Sequence, residues 1–134
     1  MTPRHSGRVV TCTLAECRAR REQARAFLEV AKLVLTEDRR EAHVAAALAV
    51  LAGIAAADAI CGFSLRKWSR GQDHRQAVEL LGEVALQDNT LPTKLRRLLA
   101  EKDTVHYSSA LITVEKAKTM VRQADALLTE ADTL

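Results

Sequence analysis

The chain contains one long stretch without a charged residue, Val44-Ala-Ala-Ala-Leu-Ala-Val-Leu-Ala-Gly-Ile-Ala-Ala-Ala57. This stretch is shorter than the roughly 18 to 20 apolar residues that a membrane-spanning helix needs, and Asp58 ends it. It is also dominated by alanine, which inserts weakly into membranes. Its small side chains allow neighbouring helices to approach closely. The stretch therefore predicts the middle of a buried central helix, running from about Arg39 to Lys67 and covered by neighbours on most sides.

The composition of the whole chain favours helices around this central element. The chain has 134 residues, of which 48% are hydrophobic but only 3% aromatic. A β-sandwich core depends on aromatic and β-branched residues, whereas Leu and Ala suit closely packed helices. The length fits one domain. The formal charge of +3 permits a phosphate-bearing partner without requiring one.

The cysteines and the N-terminus indicate a cellular compartment. Cys12, Cys17 and Cys61 are an odd number of thiols, and the first residues lack the apolar core of a signal peptide. A cytoplasmic protein with reduced thiols and no membrane contact is the simplest interpretation. The spacing of Cys12 and Cys17 does not match a zinc site, and we expect neither a metal nor a cofactor.

Capping patterns place the helices on either side of the centre. Residues 1–12 are polar and without period, which predicts a flexible arm. Thr13 with Glu16 forms a capping box for an amphipathic first helix, and Asp38 with Glu41 repeats the pattern for the second.

The second half of the chain predicts three further helices. The third starts at Gln72 or Asp73, and Pro92 fits the first turn of the fourth, which continues to His106. A linker over residues 108–112 leads to a last helix capped by Thr113. The expected fold is all-α: an up-and-down bundle of four to five helices in a single domain over residues 13–134.

Polar residues interrupt the apolar stripe of the fourth helix. On a continuous helix, Leu95, Leu99, Lys102 and His106 lie within about 40° of one line. A buried cation or imidazole without partners costs roughly several kcal/mol. The pattern therefore predicts that Lys102 and His106 project together into a cleft or an interface. Two structural alternatives remain: a hydrogen-bonded histidine at a helix contact, and a lysine whose stem covers a leucine.

Three segments together resemble the HEPN superfamily, small helical domains named for higher eukaryotes and prokaryotes nucleotide-binding. They are the small-residue helix around Ala55-Ala-Ala-Asp-Ala-Ile60, the basic connector followed by Gln72-Asp-His74, and Lys102-Asp-Thr-Val-His-Tyr-Ser108. The similarity covers residues from about Leu14 to Ala131. The last segment is similar to the family's signature, in which an Arg and a polar residue, here Asp103, precede a His.

The resemblance implies a metal-independent endoribonuclease site formed across a homodimer. His106 would be the base that takes the ribose 2′-hydroxyl proton, and Lys102 the cation that stabilises charge on phosphorus. Lys102 stands where the family has Arg, so the fork that grips two phosphate oxygens is replaced by a point charge. The spacing to His106 is also short. These departures favour an inactive member. The resemblance further suggests a bacterial toxin-antitoxin or defence system, with an antitoxin or nucleotidyltransferase as partner.

The basic connector is a candidate RNA-binding surface. Arg66, Lys67 and Arg70 surround Trp68, and a base could stack on the indole while the cations hold phosphates. His74 and Tyr107 complete the predicted substrate-binding set. The alternatives are a solvated connector anchored by one aromatic ring, a helix cap at Asp73 and His74, and a tyrosine ring that packs in the core.

Asp58 is the most exceptional acid in the chain. No charged residue lies near it on the second helix, so an unpaired carboxylate there would be protonated or destabilising. We expect a structural partner among Tyr107, His106, His74 or an arginine.

A rival hypothesis explains the same residues without RNA. The chain would then be a non-enzymatic helical interaction module, and the polar stripe would specify a partner helix. A carboxylate-bridged metal bundle is disfavoured, because the helices contain no Glu-x-x-His pair.

Overall fold

The uncharged stretch forms the middle of the bundle. The computed structural model describes residues 8–70, 74–84 and 89–134. Within these ranges the elements are β1 (Val9–Thr11), α1 (Leu14–Val34), α2 (Arg39–Leu65), β2 (Lys67–Ser69), α3 (His74–Val84), α4 (Thr90–Ala100), α5 (Lys102–His106) and α6 (Val114–Ala131). Helix α2 packs against all five other helices of these ranges, most extensively against α1 and α6. The predicted all-α bundle is confirmed.

The side chains that the sequence predicts as caps do cap their helices. The Thr13 hydroxyl accepts from the Glu16 N–H at 3.1 Å, and the Glu16 carboxylate accepts from the Thr13 N–H at 2.8 Å. Asp38 accepts from the Arg40 N–H at 2.8 Å, and Thr113 caps α6 in the same way. These bonds satisfy amide groups that have no partner within the helix, and so fix where three helices start.

Small residues let the neighbours of α2 approach closely. Gly53 leaves room for Leu98 of α4, and a Cβ atom at Gly62 would lie 2.6 Å from Cys17 Sγ of α1. In the described ranges α2 is the single helix long and apolar enough to cross a membrane, and 67% of its most apolar window is buried inside the bundle. The other helices cover most of the apolar surface of α2, as is typical of the core helix of a bundle.

The expected flexible arm is wrong for residues 9–12; residues 1–7 lie outside the described ranges. Val9–Thr11 pairs antiparallel with Lys67–Ser69, with Val10 opposite Trp68. The Cys12 N–H donates to the Arg66 carbonyl at 2.9 Å, and the Cys12 side chain is 7% exposed. Three residues are too few to show a strand period, but β-branched Val9, Val10 and Thr11 suit an extended conformation.

The predicted continuous helix from Pro92 to His106 is also wrong. Helix α4 ends at Ala100, and α5 starts anew at Lys102 after Glu101, whose N–H bonds back to the Leu98 carbonyl at 3.1 Å. The Glu101 carboxylate pairs with Lys116 of α6 at 3.2 Å. A continuous helix would have placed Lys102 on the packing face. Beyond Glu101, Lys102 is half-buried and Val105 of α5, 7% exposed, packs into the core.

Candidate functional site

Within a single chain, the Lys102–Tyr107 segment does not lie in a cleft, which was one of the two predicted locations of Lys102 and His106. His106 is exposed and Tyr107 is 76% exposed, so the predicted packing of the tyrosine ring is wrong as well. Lys102 is half-buried, and its ammonium lies 5.6 Å from the centroid of the Tyr107 ring. Partial desolvation lowers the pKa of His106, and the nearby Lys102 and His43 lower it further. The imidazole and the ammonium are neighbours, but on the surface.

Asp103, the polar residue of the signature-like segment, is exposed. Its carbonyl oxygen accepts from the N–H groups of Tyr107 and Ser108 at 2.9 and 3.1 Å. The residue thus closes the C-terminal end of the short helix α5. Asp103 lines none of the five cavities described for this structure.

His43, which the sequence did not single out, holds this segment to the central helix. The Ile112 N–H donates to its Nδ1 at 3.0 Å, so Nδ1 is an acceptor and the neutral ring carries its proton on Nε2. Nε2 lies 3.0 Å from the Val105 carbonyl oxygen, to which it donates. One imidazole therefore fixes both ends of the chain between α5 and α6. The sequence offered only a histidine at the edge of an alanine-rich helix.

Asp58 has an arginine partner, one of the four kinds of partner that were expected. Arg20 of α1 donates from Nε at 3.0 Å and lies 2.9 Å away through Nη2, both on Asp58 Oδ2. The aspartate side chain is 12% exposed. Burial raises the pKa of Asp58 to about 6, although Arg20 and Arg70 oppose the shift. The desolvation of the carboxylate thus exceeds the attraction of the two cations.

A cavity of about 240 Å³ opens beside this ion pair and is called the arginine cleft here. It is lined by Arg20, Ile54, Asp58, Ser69, Arg70, His74 and Ala77. Trp68 and Gln23 border an adjoining hollow of about 310 Å³ that shares Arg20, Asp58 and Arg70. Four segments distant in sequence, α1, α2, β2 and α3, therefore meet at this point.

Arg70 is the cation of the arginine cleft whose guanidinium has no hydrogen-bonding partner in the part of the chain that the structure describes. Its backbone N–H donates to the Arg8 carbonyl at 2.7 Å, which extends the pairing of β1 with β2. Its guanidinium is exposed and makes no hydrogen bond or ion pair with residues in the described ranges. Arg20, in contrast, is occupied by Asp58 and by the Gln23 side chain at 2.8 Å. Arg70 is thus the residue best placed to meet an anion.

A second, larger cavity of about 450 Å³ lies between α3 and α4 and is called the apolar cavity. Val78, Leu99 and Ala100 form its apolar wall, and the polar residues His74, Arg75, Glu79 and Arg96 line the rest. His74 lines both this cavity and the arginine cleft. Its volume lies in the range that holds small organic ligands.

The remaining connector residues do not form the predicted phosphate clamp around an exposed indole. Trp68 is 9% exposed and packs near Gly62, so it does not present an open indole face to solvent. Arg66 caps α2 in the left-handed conformation, with φ 58°, and its guanidinium donates to the carbonyl groups of Gly62 and Phe63. Lys67 is half-buried in β2. The predicted stop at Gly71 and the cap at Asp73 lie outside the described ranges.

The structure thus brings together Asp58, Arg70 and His74 from the predicted set, and it leaves Lys102, Asp103, His106 and Tyr107 elsewhere. Arg20 was missed, because α1 carries several arginines and no local pattern distinguishes the one that reaches α2.

Within the described ranges, no group of three His, Cys, Asp or Glu side chains could hold a metal ion. No protein-family model and no curated protein matches the chain. Fold and site together define an all-α bundle with a basic cleft.

Proposed function

We propose that the protein is a non-catalytic, HEPN-like helical protein that binds single-stranded RNA at the arginine cleft. The observation that carries the proposal is that His74 lines both the arginine cleft, with its exposed Arg70, and the apolar cavity. A phosphate would meet Arg70, and a neighbouring base would enter between Val78 and Leu99. Arg75 and Arg96 at the apolar cavity outnumber the one carboxylate there, Glu79, so the path carries a net positive charge.

The surroundings of His106 support binding without cleavage. A general base must lie within hydrogen-bonding reach of the 2′-hydroxyl, while a cation contacts the phosphate in a site that excludes water. Within one chain His106 is exposed and Lys102 half-buried, and neither lines a described cavity. Lys102 also offers a point charge where the family has the planar fork of an arginine, and a dimer through α5 would not change that. The ribonuclease role implied by the resemblance is therefore not part of this proposal.

Binding is measured by fluorescence anisotropy of a short labelled RNA. We expect Arg70→Gln to weaken binding about tenfold, as the loss of one phosphate contact would, and to lower the salt dependence by about one ion. Arg18→Gln is the matched control, because Arg18 is an exposed arginine that lines neither cavity. His106→Ala should bind normally. Equal effects of Arg70→Gln and Arg18→Gln would contradict the proposal.

The apolar cavity is tested with the same assay and an abasic strand. If a base enters between Val78 and Leu99, an oligomer that keeps the ribose phosphates but lacks its bases should bind several-fold more weakly. Equal affinity for the two strands would leave the cations as the only attachment. The role assigned to the apolar cavity would then be wrong.

The homodimer that the resemblance implies is proposed to form through the α5 segment. Tyr107 and Leu111 expose 76% and 39% of their surface at this segment, as residues of a subunit contact do in the isolated chain. Light scattering after gel filtration should then give a dimer mass that Tyr107→Ser reduces and Leu33→Ser does not. A cytoplasmic bacterial setting and a toxin-antitoxin or defence partner belong to the same proposal and rest on the resemblance.

The interaction-module hypothesis is favoured by a different surface. Val30, Leu33 and Val44 are 46%, 78% and 49% exposed on the two helices that flank residues 35–38. If this surface forms the subunit contact, Leu33→Ser should change the oligomer mass and Tyr107→Ser should not. RNA binding would then be at background in every variant.

A further inference from the structure

We propose that Cys12 and Cys17 form a reversible intramolecular disulfide that links β1 to α1. Their Sγ atoms lie 3.7 Å apart, and both side chains are buried, with exposures of 7% and 0%. Neither thiol has a role in the RNA-binding proposal. The pair is therefore a modification site separate from the arginine cleft.

The local fold brings these two sulfur atoms together. Cys12 directly follows β1, Thr13 caps α1, and Cys17 lies in the second turn of that helix. Gly62 of α2 leaves the space that both thiols occupy, since a Cβ atom there would lie 2.6 Å from Cys17 Sγ and 3.1 Å from Cys12 Sγ. The third thiol, Cys61, is 3% exposed on the same helix and provides an internal comparison.

The oxidant is a small peroxide such as hydrogen peroxide. The sulfur of one thiol attacks a peroxide oxygen, the O–O bond breaks, and a sulfenic acid and water form. The second sulfur then displaces the sulfenic hydroxyl as water and forms the S–S bond. Two thiols are oxidised and one peroxide is reduced to two waters, so atoms and electrons balance. A dithiol reductant reverses the step by thiol-disulfide exchange.

A transient opening of β1 controls the rate of this reaction. An S–S bond is about 2.05 Å long, so the two atoms must approach by about 1.7 Å. Burial and the contact with Cys17 raise the pKa of Cys12 to about 12, so the closed state holds little thiolate. Strand β1 has only three residues and pairs along one edge, and such short elements open locally without global unfolding.

The bond would stabilise the strand pair that carries Arg70. Cys12 bonds to Arg66, and Arg70 bonds to Arg8, at the two ends of the same pairing. Oxidation should therefore slow hydrogen exchange at the Cys12 and Arg70 amides. An effect on RNA affinity rests on the proposed function, whereas the disulfide and the slowed exchange do not.

The test treats the full chain with hydrogen peroxide, alkylates it under denaturing conditions, and measures intact mass. We expect the wild type to accept one alkyl group and Cys61→Ala none, while Cys12→Ala and Cys17→Ala each accept two. A dithiol should restore full alkylation. A disulfide that includes Cys61, a disulfide between chains, or no disulfide at peroxide levels that oxidise a free thiol peptide would each overturn the proposal.

Amide exchange of the oxidised and reduced wild type separates this proposal from the proposed function. Slowed amide exchange at Cys12 and Arg70, absent from Cys17→Ala, supports the disulfide between β1 and α1 even if no RNA binds. Unchanged exchange in a protein that carries the disulfide would contradict the link to β2.

Discussion

Replacing Asp58 with asparagine should stabilise the protein at neutral and higher pH. Burial raises the pKa of Asp58 from 3.8 to about 6 in the fold, against the attraction of Arg20. A shift of this size corresponds to about 3 kcal/mol of unfolding free energy. Asparagine keeps the shape and an oxygen that accepts from Arg20, but it carries no charge to desolvate. We therefore expect a gain of up to about 3 kcal/mol for Asp58→Asn above the folded pKa.

The pH dependence has a definite sign. Between pH 3.8 and about 6 the folded protein binds a proton that the unfolded chain releases, so the stability contributed by Asp58 falls as pH rises through this window. In urea unfolding, the difference in unfolding free energy between Asp58→Asn and wild type should be largest at about pH 8 and should vanish at about pH 4.

A matched control is Asp125→Asn, because Asp125 pairs with Lys32 at 3.1 Å on the surface and is 48% exposed. Its effect should stay below about 1 kcal/mol at every pH. If Asp58→Asn instead destabilises the protein at about pH 8, the ion pair with Arg20 outweighs the cost of burial. The predicted stabilisation by Asp58→Asn would then be wrong.

Two further substitutions test the packing around α2 by urea unfolding. His43→Ala should lower the free energy of unfolding by about 2 kcal/mol, because the Ile112 N–H and the Val105 carbonyl lose their hydrogen-bonding partner. The control, exposed His106→Ala, should stay within about 0.5 kcal/mol of wild type. Similar losses for both variants would contradict the role assigned to His43. Gly62→Ala should destabilise by about 1 to 3 kcal/mol, because its Cβ would overlap the Cys17 sulfur. Gly82→Ala, where no atom of the described residues lies within 4 Å of the added Cβ, should instead stabilise α3 by up to about 1 kcal/mol. A neutral Gly62→Ala would show that α1 and β2 can move away from α2.

The parts of the fold that could be predicted depend on neighbours in sequence. Thr13, Asp38 and Thr113 each cap a helix within three residues, so their chemistry is visible in a short window. The uncharged stretch of α2 likewise predicts its own burial. The HEPN resemblance stays a prediction.

The parts that could not be predicted depend on distant residues. The partner of Asp58 lies 38 positions away, on a helix with several equivalent arginines. The partners of His43 are 62 and 69 positions away. The β1–β2 pair joins segments of three residues each, which are too short to produce a period. Local sequence patterns carry no information about contacts between residues that are so far apart in sequence.

The free-energy cost of burying a charged group acts at both Lys102 and Asp58, but the fold responds to it differently at each residue. Lys102 follows Glu101, where α4 ends and α5 begins, and the half-buried lysine keeps its ammonium 5.6 Å from the centroid of the exposed Tyr107 ring. At Asp58 the helix continues to Leu65 with buried residues on both sides, and a break would expose their amide groups inside the core. The carboxylate must therefore remain, and α1 supplies Arg20 to meet it. A polar residue on the packing face of a helix is therefore informative where the helix has to continue and the residue has to be buried. Asp58 meets this condition and Lys102 does not, so the functional site is expected at the arginine cleft and not at His106.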